Sequence, residues 1–175
     1  IAGAGAQAAR TELIRLATQY DLGVYSAFRR QDVFPNDHER YLGHLTLGTS
    51  PRVLAALREA DLVLVLGCRL SEVTSQTFTV PTKDADVIHV HIEARSMGVG
   101  TVPALGVPAD VRATLQALLA QDNEPRPPRD WSTAHDTYWQ ESTTPPAGNT
   151  PAIHPSEVIA AMSRALPADC LIASD

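Results

Sequence analysis

The run Asp61-Leu62-Val63-Leu64-Val65-Leu66-Gly67 constrains the fold of this 175-residue chain more than any other stretch. Its apolar core has the length of a strand, with no polar residue at alternate positions. A strand with one wet face alternates. An unbroken run belongs to a strand covered on both faces, and hence to the middle of a parallel sheet. The same run, the longest apolar stretch of the chain, is far too short to cross a bilayer. The rest of the first 120 or so residues repeats the theme, apolar runs alternating with helical patterns, which predicts a parallel α/β sheet.

Along the chain, Ile1-Ala2 reads as the stump of a strand and Ala6 to Tyr20 as a helix with Ala9, Leu13, Leu16 and Ala17 on one face. Gly23 to Ala27 reads as a short strand. Ser50-Pro51 is a helix start, Ser capping free N–H groups and Pro suiting the first turn, for a helix through Val53, Leu54 and Leu57 to about Ala60. Val87 to Ile92 and Ala104 to Val107 are further strands, and Pro108 to Ala120 an amphipathic helix through Val111, Leu115, Leu118 and Leu119. Composition then changes. Pro125, Pro127, Pro128, Pro145, Pro146, Pro151 and Pro155 crowd a stretch with little apolar content outside Trp131 to Trp139, which reads as a linker carrying a short helix. Pro155 to Leu166 is a helix and Cys170 to Ser174 an apolar strand, the opening of another domain, and both ends of the chain read as cut. The domains expected are 1–121, a linker 122–154, and 155–175.

Charge narrows the partners. Twenty acids against 14 bases, a net charge of −6, give no field for holding nucleic acid, although a local basic spot can hold one phosphate. No basic segment followed by an apolar one opens the chain, so neither a secretory signal nor a membrane span is expected. Cys68 and Cys170 are too few for a disulfide framework or a four-ligand zinc site; both read as small buried hydrophobes, consistent with a cytoplasmic location.

Gly3-Ala4-Gly5-Ala6-Gln7-Ala8 fits the Gly-x-Gly-x-x-Ala pattern at a strand-to-helix turn, where a phosphate can approach the backbone and a helix N-terminus. The acid that would hold an NAD ribose should end the next strand, yet Arg29-Arg30 follows it, which disfavours an NAD dehydrogenase. His89 and His91 share one face of a strand, while His38 and His44 lie in another loop, so hydrogen-bonded histidines are expected rather than a metal site. Neither a Gly-x-Ser-x-Gly elbow nor a Walker loop occurs. The acid pairs Glu59/Asp61 and Asp84/Asp86 read as solvated turn residues. No catalytic residue and no metal ligand is assigned.

An ordered series of motifs carries a resemblance. It begins with Phe28-Arg29-Arg30-Gln31-Asp32-Val33-Phe34-Pro35-Asn36-Asp37-His38, then Tyr41-Leu42-Gly43-His44 and Gly48. Glu59-Ala60-Asp61 leads to Gly67-Cys68-Arg69-Leu70-Ser71-Glu72, followed by Ile88-His89-Val90-His91-Ile92-Glu93 and Pro108-Ala109-Asp110. The chain resembles, over essentially its whole length, the central domain of thiamine-diphosphate-dependent enzymes of the acetolactate synthase group. That resemblance implies a Rossmann-like six-stranded parallel sheet flanked by helices, binding FAD in some members and ADP in others. It implies a central fragment of a longer enzyme, a homodimer or homotetramer, in which other domains hold thiamine diphosphate and Mg²⁺ and act on a 2-oxo acid. By the same resemblance a nucleotide would contact Gly3, Ala4, Gly5, Phe28, Arg29, Gly43, His44, Leu45, Gly67, Arg69, Glu93, Ala109 and Asp110. His91 and Ala94 stand where the family has Asp and Pro, Ala109 where it has glycine, and Cys68 where it has a small residue. Two other readings follow from the residues: a free-standing nucleotide-binding module, and an oligomerisation scaffold that keeps the fold without a ligand.

Overall fold

The computed structural model describes residues 1–121, 128–145, 153–167 and 169–172. A 3₁₀ segment, Ala4–Ala9, runs into helix α1 (Arg10–Gln19). Strands β1 (Val24–Ser26) and β2 (Tyr41–His44) follow, then the single helical turn α2 (Ala55–Arg58). The apolar run forms β3 (Leu62–Leu66), paired in parallel with β4 (Asp86–Val90), which pairs in parallel with β5 (Leu105–Val107). Three helices complete the order: α3 (Val111–Leu119), α4 (Ser132–Thr143) and α5 (Pro155–Ala165).

The parallel α/β class is as the sequence dictates, but among the described residues five strands form, not six. The sheet is a parallel pair, β1-β2, and a parallel trio, β3-β4-β5. At the position between them stands only Ala2, which makes parallel bridges to Ser26 and to Leu66. Two residues supply bridges and no ladder, so Ile1-Ala2 joins the two sheets without being a strand. The spatial sequence is therefore β2-β1-Ala2-β3-β4-β5.

Val63, Val65 and Leu66 of β3 are buried, with Val87 and Val90 of β4 beside them. Over this sheet lie Leu13, Leu16 and Ala17 of α1 and Val111 and Leu115 of α3, all buried, the two helices packed on each other. The buried hydroxyls of β1 and β2 find partners. The Ser26 and Tyr41 hydroxyls lie 2.7 Å apart, and the Tyr25 hydroxyl donates to the Val53 carbonyl at 2.6 Å.

Other expectations need adjusting. The helix expected from Ala6 begins as a tighter 3₁₀ segment and becomes α-helical only at Arg10. Ser50 does cap, its Oγ accepting from the amides of Arg52 and Val53, yet the helix behind it shrinks to one α turn after residues in turn conformation. Residues 170–172 form no strand, and 173 and 174 lie outside the described residues. Cys170 is exposed, not buried; it follows α5, a helix with no buried residue, and so has no packed surface to enter. The short helix expected at Trp131 to Trp139 is α4, and it lies against β2 with Tyr138 buried. His135 Nδ1 is 2.8 Å from the Tyr41 carbonyl. Pro125, Pro127, Pro146 and Pro151 lie outside the described residues.

Candidate functional site

Because every strand pairing is parallel, the segments that leave Ala2, β1, β2, β3, β4 and β5 share the carboxyl edge of the sheet. The residues singled out by resemblance close a strand or follow one at this edge. In open α/β sheets that is where ligands bind, at the point where strand order reverses. Here the reversal lies at Ala2, between β1 and β3.

At that point the glycines hold two backbones together. Gly3 N–H donates to the Leu66 carbonyl and Gly5 N–H to the Gly67 carbonyl, each at 2.9 Å. A Cβ on Gly3 would lie 2.1 Å from Cys68 Cβ, and one on Gly67, whose φ is +59°, 2.5 Å from Gly5 Cα. Ala6 N–H turns back to the Gly3 carbonyl. The Gly-x-Gly turn is thus needed for the approach of the chain leaving Ala2 to the chain leaving β3. Ala4 lies exposed between them.

Phe28 and Arg29 follow β1. Arg29 is itself left-handed at φ +59° and lays its guanidinium 5.6 Å from the centre of the Phe28 ring. Gly43 and His44 end β2, and Leu45, wholly buried, is part of the core. His44 lines a hollow of about 180 Å³ with Thr46, Thr49, Ser50, Tyr138 and Glu141. Its Nδ1 is buried with no hydrogen-bond partner among the described residues, and burial pushes the imidazole pKa down. The ring is therefore neutral near pH 7.

A larger cavity of about 420 Å³ opens between the segments that follow β3 and β4, lined by Arg69, Ser71, Glu93, Arg95, Ser96 and apolar neighbours. Arg69 reaches Glu93 at 3.2 Å through Nη2 and Ser96 Oγ at 3.3 Å through Nε. Ser96 Oγ donates to Glu93 at 3.1 Å, and Arg95 binds the other carboxylate oxygen at 3.1 Å. Arg95, Ser96 and Arg69 together hold the Glu93 carboxyl below the usual range. Both guanidinium groups are largely exposed beside the cavity. Exposed guanidinium forks suit phosphate, and a carboxylate beside a serine hydroxyl suits sugar hydroxyls. Arg95 and Ser96 escaped the sequence reading, although a cation two residues past Glu93 was a signal to follow.

Ala109 and Asp110 follow β5 at the start of α3 and do not line this cavity; the Asp110 carboxylate accepts from Ala113 N–H at 2.9 Å as the helix cap. His89 Nε2 lies 2.9 Å from the Cys68 carbonyl, with the His91 ring 6.1 Å away. Burial pushes the Cys68 thiol up to about 11, which leaves it a protonated, unreactive packing group. No group of three His, Cys, Asp or Glu side chains among the described residues is placed to hold a metal ion.

Residues 1–118, which include the Gly3 turn, both cavity-forming segments and most of α3, match the family model for the central domain of thiamine pyrophosphate enzymes. The chain belongs to that family. Among the relatives of this central domain is the probable acetolactate synthase large subunit of Methanocaldococcus jannaschii, 27% identical over 122 residues, covering 69% of this chain and 21% of that protein. The acetolactate synthase large subunit of Haemophilus influenzae is 25% identical over 171 residues, 94% of this chain and 30% of its own length. A probable sulfoacetaldehyde acetyltransferase of Rhizobium meliloti is 30% identical over 117 residues, 63% and 19%. The thiamine pyrophosphate enzyme central domain seen here thus spans under a third of the length of each of these relatives.

Proposed function

We propose that this chain is the nucleotide-site domain of a thiamine-diphosphate-dependent carboligase or decarboxylase, acetolactate synthase-like, in which other domains carry out the chemistry. The observation that carries the reading is the cavity at the carboxyl edge, where Arg69, Glu93, Arg95 and Ser96 converge between the segments that follow β3 and β4. The order β2-β1-Ala2-β3-β4-β5 supports a Rossmann-like description, since counting Ala2 as the first strand makes it the doubly wound order of dinucleotide-binding sheets.

On this reading residues 1–121 form the nucleotide-site unit, 122–154 connect it, and 155–175 begin the next domain. The ligand of the central unit is an adenine nucleotide, ADP or FAD. In the whole protein thiamine diphosphate with Mg²⁺ supplies the carbanion chemistry on a 2-oxo acid. The assembly is a homodimer or homotetramer in the cytoplasm. Among the described residues no helix is long and apolar enough to cross a membrane. This domain's own residues would bind and orient a nucleotide: guanidinium groups at Arg69 and Arg95 on phosphate, Glu93 and Ser96 on hydroxyls.

A ligand-free scaffold is the second reading. It is favoured by the engaged amides of Gly3 and Gly5 and by Asp110, whose carboxylate already caps α3. Titration calorimetry of the chain with ADP separates the two. We expect saturable one-to-one binding, weakened about tenfold in Arg69→Ala through loss of a charge-assisted bond. No heat with either ADP or FAD would establish the scaffold instead. The chain by itself should consume no pyruvate.

A further inference from the structure

The segment following β3 does more than line the larger cavity. It crosses the carboxyl edge. Gln76 Nε2 donates to the Thr46 carbonyl at 2.9 Å, and Thr46 lies just past β2. Between β3 and β2 stand Ala2 and β1, so a segment that leaves β3 and touches Thr46 must span about 14 Å of sheet edge at the usual strand spacing. It therefore passes the strand reversal at Gly3-Gly5, with Ser71 lining the 420 Å³ cavity at one end and Thr46, the partner of Gln76, lining the 180 Å³ hollow at the other.

This strap, residues 71 to 80, is held at both ends and in the middle. Ser75 is wholly buried, its hydroxyl donating to the Ser71 carbonyl at 2.8 Å and accepting from Phe78 N–H at 3.0 Å. Val80 is wholly buried too. Gln76, Thr77 and Phe78 are all left-handed, at φ +50°, +59° and +58°. Non-glycine residues seldom adopt that region, and three in succession persist only where the surroundings impose it. The Gln76 amide, which also donates to the Val73 carbonyl at 2.7 Å, is the contact that closes the strap onto the β2 side.

Resting on the nucleotide reading above, we propose that the strap limits the site to ligands with a single nucleotide, of the adenosine diphosphate class. Dinucleotides such as FAD enter only when the Gln76–Thr46 bond opens. A dinucleotide at a doubly wound sheet lies across the reversal point, and here that course runs under the strap. The open cavity on the β4 side, about 420 Å³, is at the lower end of the volumes that hold drug-sized ligands.

The test is calorimetric titration of the full chain and of Gln76→Asn with ADP and, separately, FAD. Asparagine tolerates the left-handed region but is one methylene too short to reach Thr46. For the unaltered chain we expect ADP to bind at least about tenfold more tightly than FAD. In Gln76→Asn the FAD affinity should rise about three- to tenfold, the range one neutral hydrogen bond supplies, with ADP affinity unchanged. Unchanged ADP binding also shows that the variant is folded; Gln76→Gly, which relaxes the backbone and removes the amide, should behave alike. Equal binding of FAD and ADP by the unaltered chain overturns the proposal while leaving the nucleotide reading intact. So does an FAD-to-ADP ratio that neither variant moves. Binding of neither nucleotide overturns both.

Discussion

Single residues in this chain are constrained by backbones that meet across long sequence separations. Gly67 is the clearest case. It is left-handed, and its Cα sits against Gly5, so Gly67→Ala meets both a conformational penalty of about 1–2 kcal/mol and an overpacking penalty of about 1–3 kcal/mol. Gly98 is also left-handed, at φ +82°, but a Cβ there would meet only Pro103 at 4.0 Å. Gly98→Ala should therefore cost about 1–2 kcal/mol and Gly67→Ala about 2–5 kcal/mol in urea unfolding. Equal costs would mean that the Gly5–Gly67 approach carries no energy. The Gly-x-Gly pattern was legible in the sequence; its partner was not, because nothing local to Gly3 and Gly5 points to Gly67. Arg69 and Glu93 were legible only through the ordered resemblance, and their junction at Ser96 is a product of the sheet pairing.

At the scale of elements, periodicity gave α1, α3, α5 and the strands β3 and β4 within a few residues. It failed where neighbours decide, as in the shortening of the helix behind Ser50 and the docking of α4. The approach to α4 is fastened at its start by Asp21, a left-handed residue whose carboxylate meets Arg40, the Arg129 backbone amide and, at 3.3 Å, Trp131 Nε1. No local pattern joins residue 21 to residue 131. Burial opposes the charge on Asp21, but the Arg129 amide, the Arg40 guanidinium and the Trp131 indole outweigh it and the carboxyl pKa is lowered. A lowered folded-state value means stabilisation that is complete above the unfolded aspartate value of about 3.9 and disappears as pH falls through the folded one. Asp21→Asn should lose about 2 kcal/mol at pH 7, from charge-assisted bonds, and less than that below pH 4. Urea midpoints from pH 3 to pH 7 check this: the gap between parent and variant must close on acidification. A gap that stays constant would rule out the charge as its source.

Over the whole molecule, stability should be graded, because burial is. The centre is the β3-β4 pair, in register from Leu62–Asp86 to Leu66–Val90, with Val63, Val65, Val87 and Val90 inside. One side ends at β2, on which α4 packs, and the other at β5, whose Leu105 and Gly106 are exposed. At the far extreme is α5. Its sequence specifies a helix well: His154 Nδ1 accepts from Ser156 N–H, Glu157 reaches back to His154 N–H at 3.1 Å, and Pro155 opens the first turn. Yet it buries no residue, and Val158 and Ile159 are open to solvent. An isolated helix of 11 residues is marginal in water whatever its caps, since nucleation is unfavourable and packing normally supplies the difference. Amide hydrogen exchange should therefore find Val63 to Leu66 and Val87 to Val90 opening only near the global unfolding energy. Amides of α5 should exchange within about tenfold of unprotected rates. The contrast also bears on the proposed boundary at residue 155. Fast exchange in α5 beside a protected β3-β4 core is what two separate units require, whereas protection of α5 equal to that of β3 would make residues 155–165 part of the same cooperative unit and remove the boundary.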